Sequence, residues 1–168
     1  MFIDKYLAET VCMEFGYIDK LCDAIDNYIK NFATSYIGNN TEYVYENIVR
    51  LIKRKNKILR FKNKILHCVE LLKIKDRQIW EALTKLKNLK KEDICLLLDI
   101  NERTFYRRIE KFYTILAKLL EQQNENNFIL DVCNSESFIS SKYYGVKTRR
   151  QSYSRGIFGA HQREGLYE

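Results

Sequence analysis

The residues whose chemistry is easiest to interpret lie between positions 90 and 120, where arginine, tyrosine and asparagine occur at helical spacing. Phe105 and Ile109 are four residues apart, so a helix would bury both on one face. The same helix turns other side chains outward, namely Arg103, Tyr106, Arg107 and Glu110. Arginine can make two hydrogen bonds to guanine in the major groove of B-DNA, and asparagine can do the same with adenine. This outward face predicts sequence-specific binding to double-stranded DNA.

Two classes of DNA contact are expected. The residues expected to contact bases are Asn101, Arg103, Thr104, Tyr106 and Arg107. Those expected to contact phosphates are Arg108, Lys111, Lys90 and Lys91, and further upstream Lys53, Arg54 and Lys57. The upstream three belong to segment 50–64, which has eight basic residues and no acidic one, whereas residues 1–47 carry three Lys/Arg against eight Asp/Glu. The net charge of +7 is therefore concentrated locally.

Two short helices that cross over a tight turn would position this chemistry. The first helix is expected to face inward with Ile94, Leu97 and Leu98, and Cys95 is small where the two helices approach each other. Ile100 is the apolar plug of the turn, and Asn101 is a suitable N-cap for the second helix. The pattern predicts a helix-turn-helix within a DNA-binding domain that spans residues 73–121.

The sequence INERTFYRRI resembles the promoter-reading helix-turn-helix of sigma factors and related bacterial regulators, whose usual pattern is I-S-x-R-T-V/F-x-R-R-L/I. The lysine-rich heptad helix, the helix-turn-helix and the ending TILAKLL together resemble the phage ArpU/RinA family of late-gene transcriptional regulators. This resemblance covers roughly Glu42 to Glu121. It implies promoter-like DNA binding and transcriptional activation, with RNA polymerase as a partner.

The sequence departs from the family pattern at two positions. Asp99 stands where these turns usually have glycine, and aspartate tolerates the left-handed conformation at some energetic cost. Asn101 replaces the usual serine and retains the ability to cap a helix. The turn is therefore expected to form without its customary glycine.

Three amphipathic helices are predicted upstream. The first has an apolar stripe of Ile18, Leu21, Cys22, Ile25, Tyr28, Ile29 and Phe32 and ends near Gly38. The second begins at Thr41 and repeats in heptads through Val44, Ile48, Leu51, Lys55, Ile58, Lys62, Ile65, Val69 and Leu72. This stripe could pack in an intramolecular hairpin or in a dimeric coiled coil. The third has Asp76 as its expected N-cap and carries the only tryptophan, Trp80, as a core anchor.

Composition predicts an all-α protein of long amphipathic helices, followed by the helix-turn-helix domain and a poorly ordered tail. The chain has no proline and six glycines, so helices can run long. Residues 1–40 are expected to form a helical segment for protein contacts and residues 41–72 the basic heptad helix. Residues 122–168 are expected to be a polar, basic tail, in which 142–155 could add phosphate contacts.

Several classes of function lack support in the sequence. The five cysteines are odd in number and fit reduced core thiols, and no segment approaches the length of a membrane span. His67 and His161 have no partner at the spacing of a catalytic or metal site, so we expect no enzyme, cofactor or metal. A cytoplasmic DNA-binding regulator is the favoured hypothesis. The alternatives are a phage small terminase subunit that recognises packaging DNA and a helical adaptor that binds only protein.

Overall fold

The structure, a computed structural model, describes residues 1–35, 41–86 and 89–161, and over these residues the chain is all-α, as predicted. The helices are α1 (Lys5–Glu14), α2 (Tyr17–Ser35), α3 (Thr41–Glu70), α4 (Ile74–Lys85), α5 (Lys91–Leu97), α6 (Glu102–Gln122), α7 (Phe128–Ser135) and α8 (Ser137–His161). A single 3-10 turn, Glu125–Asn127, precedes α7. None of the helices in the described part of the chain is long and apolar enough to cross a bilayer.

The heptad stripe of α3 packs against α2 of the same chain. Ile18, Cys22 and Ile25 of α2 are buried, as are Ile58 and Ile65 of α3. The two lysines within the stripe form ion pairs with α2, Lys55 with Asp26 at 2.6 Å and Lys62 with Asp19 at 2.5 Å. Of the two arrangements that the sequence left open, the structure therefore has the intramolecular hairpin. Tyr28, predicted to be part of the apolar stripe of α2, is instead 56% exposed.

The central core is formed where α1, α3 and α4 pack around α6. Phe61 of α3 and Phe112 of α6 are almost completely buried. Trp80 of α4 is 3% exposed and meets the ring of Phe15 edge-on at 4.9 Å, which confirms the prediction that it is a core anchor. All five cysteines are buried, as predicted, and burial raises the pKa of the Cys68 thiol to about 11.

The predicted N-cap of α4 is wrong. The helix begins at Ile74 after an extended Lys73, so Asp76 lies inside the first turn. A carboxylate there is still favourable, because it lies close to the positive end of the helix dipole. The predicted end of α2 near Gly38 falls outside the described residues.

The prediction of a poorly ordered tail is wrong for the stretch that follows α6. Helices α7 and α8 bury apolar side chains in the core, namely Ile129, Val132, Cys133, Ile139, Tyr143 and Val146. The polar stretch before them is a turn in which Asn126 and Asn127 have φ of 50° and 58°, a left-handed conformation that asparagine tolerates. The last seven positions of the predicted tail, 162–168, lie outside the described residues.

Helix α8 is joined to α1 by polar contacts as well as by packing. The Tyr143 hydroxyl donates a hydrogen bond to Asp4 Oδ2 at 3.0 Å. The other carboxylate oxygen of Asp4 accepts from the backbone N–H groups of Tyr6 and Leu7 and so caps α1. Burial and the bond to Asp4 raise the pKa of Tyr143 to about 12. Helix α8 therefore stabilises α1 through the residue that caps it.

Candidate nucleic-acid interface

The turn between α5 and α6 is closed by a Schellman motif. The N–H of Ile100 donates to the carbonyl of Cys95 at 3.0 Å, and the N–H of Asp99 donates to that of Leu96 at 3.1 Å. Asp99 has φ of 49°, so it occupies the left-handed position where glycine is usual. Asn101 Oδ1 then accepts from the N–H of Thr104 at 2.8 Å, which confirms its role as N-cap.

The conformation of Asp99 predicts two substitutions of opposite effect. Asp99→Gly should raise the free energy of unfolding by about 0.5 kcal/mol, because the relief of left-handed strain exceeds the added entropy of the unfolded chain. Asp99→Val should lower it by roughly 1–2 kcal/mol, because a β-branched residue is most strained at positive φ. Urea denaturation would measure both. A glycine variant less stable than the parent would show that the turn does not hold Asp99 in this conformation.

The inner face of the two helices is mostly as predicted. Ile94, Cys95, Phe105 and Ile109 are buried, while Leu98 and Ile100 are partly buried against the core. Leu97, predicted to face inward, is 65% exposed. Ile94, Cys95 and Leu98 share one stripe of α5, and at 100° per residue Leu97 lies more than a quarter-turn from its centre.

The outer face of α6 presents the predicted base-reading residues. Arg103, Tyr106 and Arg107 are exposed, and Thr104 is half-buried. Tyr106 is held by α5, because Lys91 donates to its hydroxyl at 2.5 Å and lies 5.2 Å from the ring centroid. The hydrogen bond to Tyr106 raises the pKa of Lys91. Asn101 uses its carboxamide oxygen in the helix cap, which leaves the two N–H donors of its amide group for other partners.

Glu110 was predicted to point outward, but its carboxylate instead joins α6 to α1 and α8. It accepts hydrogen bonds from Lys5 of α1 at 3.1 Å and from Arg150 of α8, and Arg150 also pairs with Glu9 at 2.9 Å. Burial favours the neutral carboxyl, but the two cations outweigh it and lower the pKa of Glu110. Helices α1 and α8 therefore bound the outer face of α6 on this side.

The lowered pKa of Glu110 predicts a pH-dependent contribution to stability. A carboxylate with a depressed folded pKa stabilises the fold above its unfolded pKa, about 4.3 for glutamate, and this stabilisation is lost as the pH falls through the folded value. Glu110→Gln should therefore lower the free energy of unfolding at pH 7 by about 1 kcal/mol, because solvent partly screens these half-exposed ion pairs. The difference should vanish in acid, where Glu110 is itself neutral.

Thermal denaturation at pH 7 and below pH 3 would measure this effect. Glu121→Gln on the same helix is the control, since Glu121 is exposed and forms no ion pair within the described residues. A difference between parent and Glu110→Gln that persists unchanged in acid would contradict the assignment of the charge pairs.

The basic stretch of α3 is largely occupied by contacts within the protein. Arg54, predicted to contact phosphate, instead forms a two-pronged ion pair with the buried Glu136, at 3.1 and 2.7 Å. Lys57 donates to Ser135 Oγ at 3.3 Å, and Lys53 is exposed. Lys64 pairs with Glu125, and Arg60 lies 4.5 Å from the Phe128 ring centroid. Six of the eight cations of segment 50–64 therefore contact α2 or residues 125–136, and Arg54 is corrected from a phosphate contact to a structural one.

Fewer of the cations around the α5–α6 turn than of those on α3 are in ion pairs. Lys90, Arg103, Arg107 and Lys111 are all exposed, and none of them forms an ion pair with another described residue.

Comparison of the chain with protein-family models, with curated proteins and with solved structures found no match.

Proposed function

We propose that this chain binds double-stranded DNA with α6 in the major groove and regulates transcription. The observation that supports this most directly is the exposed surface of Arg103, Tyr106 and Arg107, held outward because Phe105 and Ile109 anchor the opposite face of α6 in the core. An α-helix with its side chains is about 10–12 Å in diameter, which fits a major groove about 12 Å wide.

The distribution of paired and unpaired cations supports the same surface. DNA binding depends on cations that can replace the counterions of phosphates. Four of the eight basic residues of segment 50–64 are in ion pairs, with Asp26, Asp19, Glu125 and Glu136. Those around the α5–α6 turn are in none within the described residues. We therefore assign the DNA surface to α5 and α6, with Lys90, Lys91, Arg108 and Lys111 as phosphate contacts.

The regulatory part of the proposal rests on the sequence. The stretch INERTFYRRI resembles promoter-reading helices, and two of its three arginines, Arg103 and Arg107, are exposed on α6. We propose a promoter-like site as the DNA target and RNA polymerase as the protein partner. A duplex-dependent change in transcription from such a site is the expected activity.

Selection of bound duplexes from a random pool, with the mass of the complex measured, tests the proposal. A single enriched motif whose binding weakens steeply with salt is the expected result. Equal binding of all duplexes would instead support a protein adaptor with generic charge attraction. Large rings that bind DNA would support a packaging subunit rather than a regulator. Transcription from a template that carries the selected motif then tests the regulatory part.

A further inference from the structure

A basic concavity of about 410 Å³ lies between the beginning of α4 and the flank of α6. Its lining consists of Lys73, Ile74, Lys75, Asp76, Arg108 and Lys111. The three lysines are exposed and Arg108 is half-buried. None of the four cations is ion-paired to any residue that the structure describes. Four positive charges therefore face the concavity against the single carboxylate of Asp76.

The backbone that carries Lys73 and Lys75 is held in place by hydrogen bonds. Arg77 Nη2 donates to the carbonyl of Glu70 at 2.8 Å and to that of Leu72 at 3.4 Å. The N–H groups of Asp76 and Arg77 both donate to the carbonyl of Lys73 at 2.9 Å. These bonds join the end of α3 to the first turn of α4, so the two lysines are presented from a defined backbone.

The concavity lies on the opposite flank of α6 from Lys91. Successive residues of an α-helix are rotated by about 100°, so Tyr106 and Arg108 lie on opposite sides of Arg107. Lys91 contacts Tyr106 on one flank, whereas Arg108 lines the concavity on the other. Cations thus border the base-reading face on both sides. A helix in the major groove has the phosphates of one strand on each side, which this arrangement matches.

We infer that Lys73 and Lys75, with Arg108 and Lys111, bind backbone phosphates of one DNA strand, while Lys90 and Lys91 bind those of the other strand. This inference rests on the proposed function, since it requires α6 to lie in the groove. The inference adds the junction between α3 and α4 to the proposed DNA-binding surface. The sequence pattern of residues 90–120 did not indicate this junction.

The first test compares Lys73→Gln/Lys75→Gln with Lys20→Gln/Lys30→Gln on the selected duplex. Both double variants remove two exposed positive charges, but Lys20 and Lys30 lie on α2, which packs against α3. Each lost phosphate contact should reduce the slope of log affinity against log salt by about 0.9. The Lys73/Lys75 variant should therefore lose about 1.8 in slope and retain its preference for the selected motif. An effect no larger than that of the α2 control would overturn the inference.

The second test locates the contacts on each strand by interference from ethylated phosphates. Lys73→Gln/Lys75→Gln should relieve interference on one strand and Lys90→Gln/Lys91→Gln on the other. Relief by both variants on the same strand would overturn the two-strand arrangement and leave the proposed function standing. A parent protein that shows no motif in the selection would overturn the proposed function itself, so the two failures are distinguishable.

Discussion

Replacing both Arg103 and Arg107 by alanine should abolish the preference of the protein for its selected duplex and leave the fold intact. A bidentate arginine contact to guanine contributes about 1–3 kcal/mol of discrimination, so two such contacts amount to roughly 30-fold to 10⁴-fold in relative affinity. Both side chains are exposed and neither is in an ion pair within the described residues. The free energy of unfolding should therefore change by less than about 0.5 kcal/mol.

Fluorescence anisotropy with the selected duplex and a scrambled duplex of equal length would measure this preference. The matched control is Arg50→Ala/Arg149→Ala, which removes two exposed arginines from α3 and α8. It should weaken both duplexes to a similar, small extent, because it changes only the total charge. If Arg103→Ala/Arg107→Ala kept the preference of the parent, α6 would not be the helix that reads the sequence.

The second large effect is expected at Tyr143, in the part of the chain predicted to be a tail. Its side chain is 1% exposed and its hydroxyl bonds to Asp4, whereas the adjacent Tyr144 is 56% exposed. Tyr143→Ala should lower the free energy of unfolding by about 3–5 kcal/mol, the usual range for a large aromatic removed from a core. Tyr144→Ala should cost less than about 1 kcal/mol, so the two neighbours form a matched pair.

Chemical denaturation would measure both tyrosine variants, and Tyr143→Phe separates packing from hydrogen bonding. The phenylalanine variant keeps the ring and should cost about 1 kcal/mol, the net value of a typical hydrogen bond. Should Tyr143→Ala be too unstable to purify, Tyr143→Phe and Val146→Ala still report on the same docked face. Equal stability of Tyr143→Ala and Tyr144→Ala would mean that α8 does not pack on the core.

Local features were predictable because they depend on residues close together in the chain. Helical periodicity located Ile58 and Ile65 in the core, and capping chemistry identified Asn101. The left-handed Asp99 followed from its position in the turn. Leu97 was the exception. A helix of seven residues makes only about two turns, and periodicity over so short a length does not define which face is buried.

The partners of the charged residues were harder to predict. Arg54 and Glu136 are 82 positions apart, and no local pattern brings them together. A signal was present for the α2–α3 hairpin, where Asp19 and Asp26 are spaced by seven residues, as are Lys55 and Lys62. In an antiparallel pair of helices this spacing allows both ion pairs at once, as the structure has them. The pairing of the acidic residues of α2 with the lysines of α3 could therefore have been predicted from this spacing.

The sequence by itself determined the all-α architecture and the outward face of α6, because both follow from the 3.6-residue period and from capping at neighbouring positions. Only the tertiary structure decided which cations remain exposed for a partner. An ion pair forms where packing brings two distant segments within about 4 Å, and burial of a carboxylate such as Glu136 is costly unless a cation is supplied. Because the buried Glu136 pairs with Arg54, Arg54 is no longer part of the predicted DNA surface. The packing of α4 beside α6 adds Lys73 and Lys75 to the proposed DNA surface.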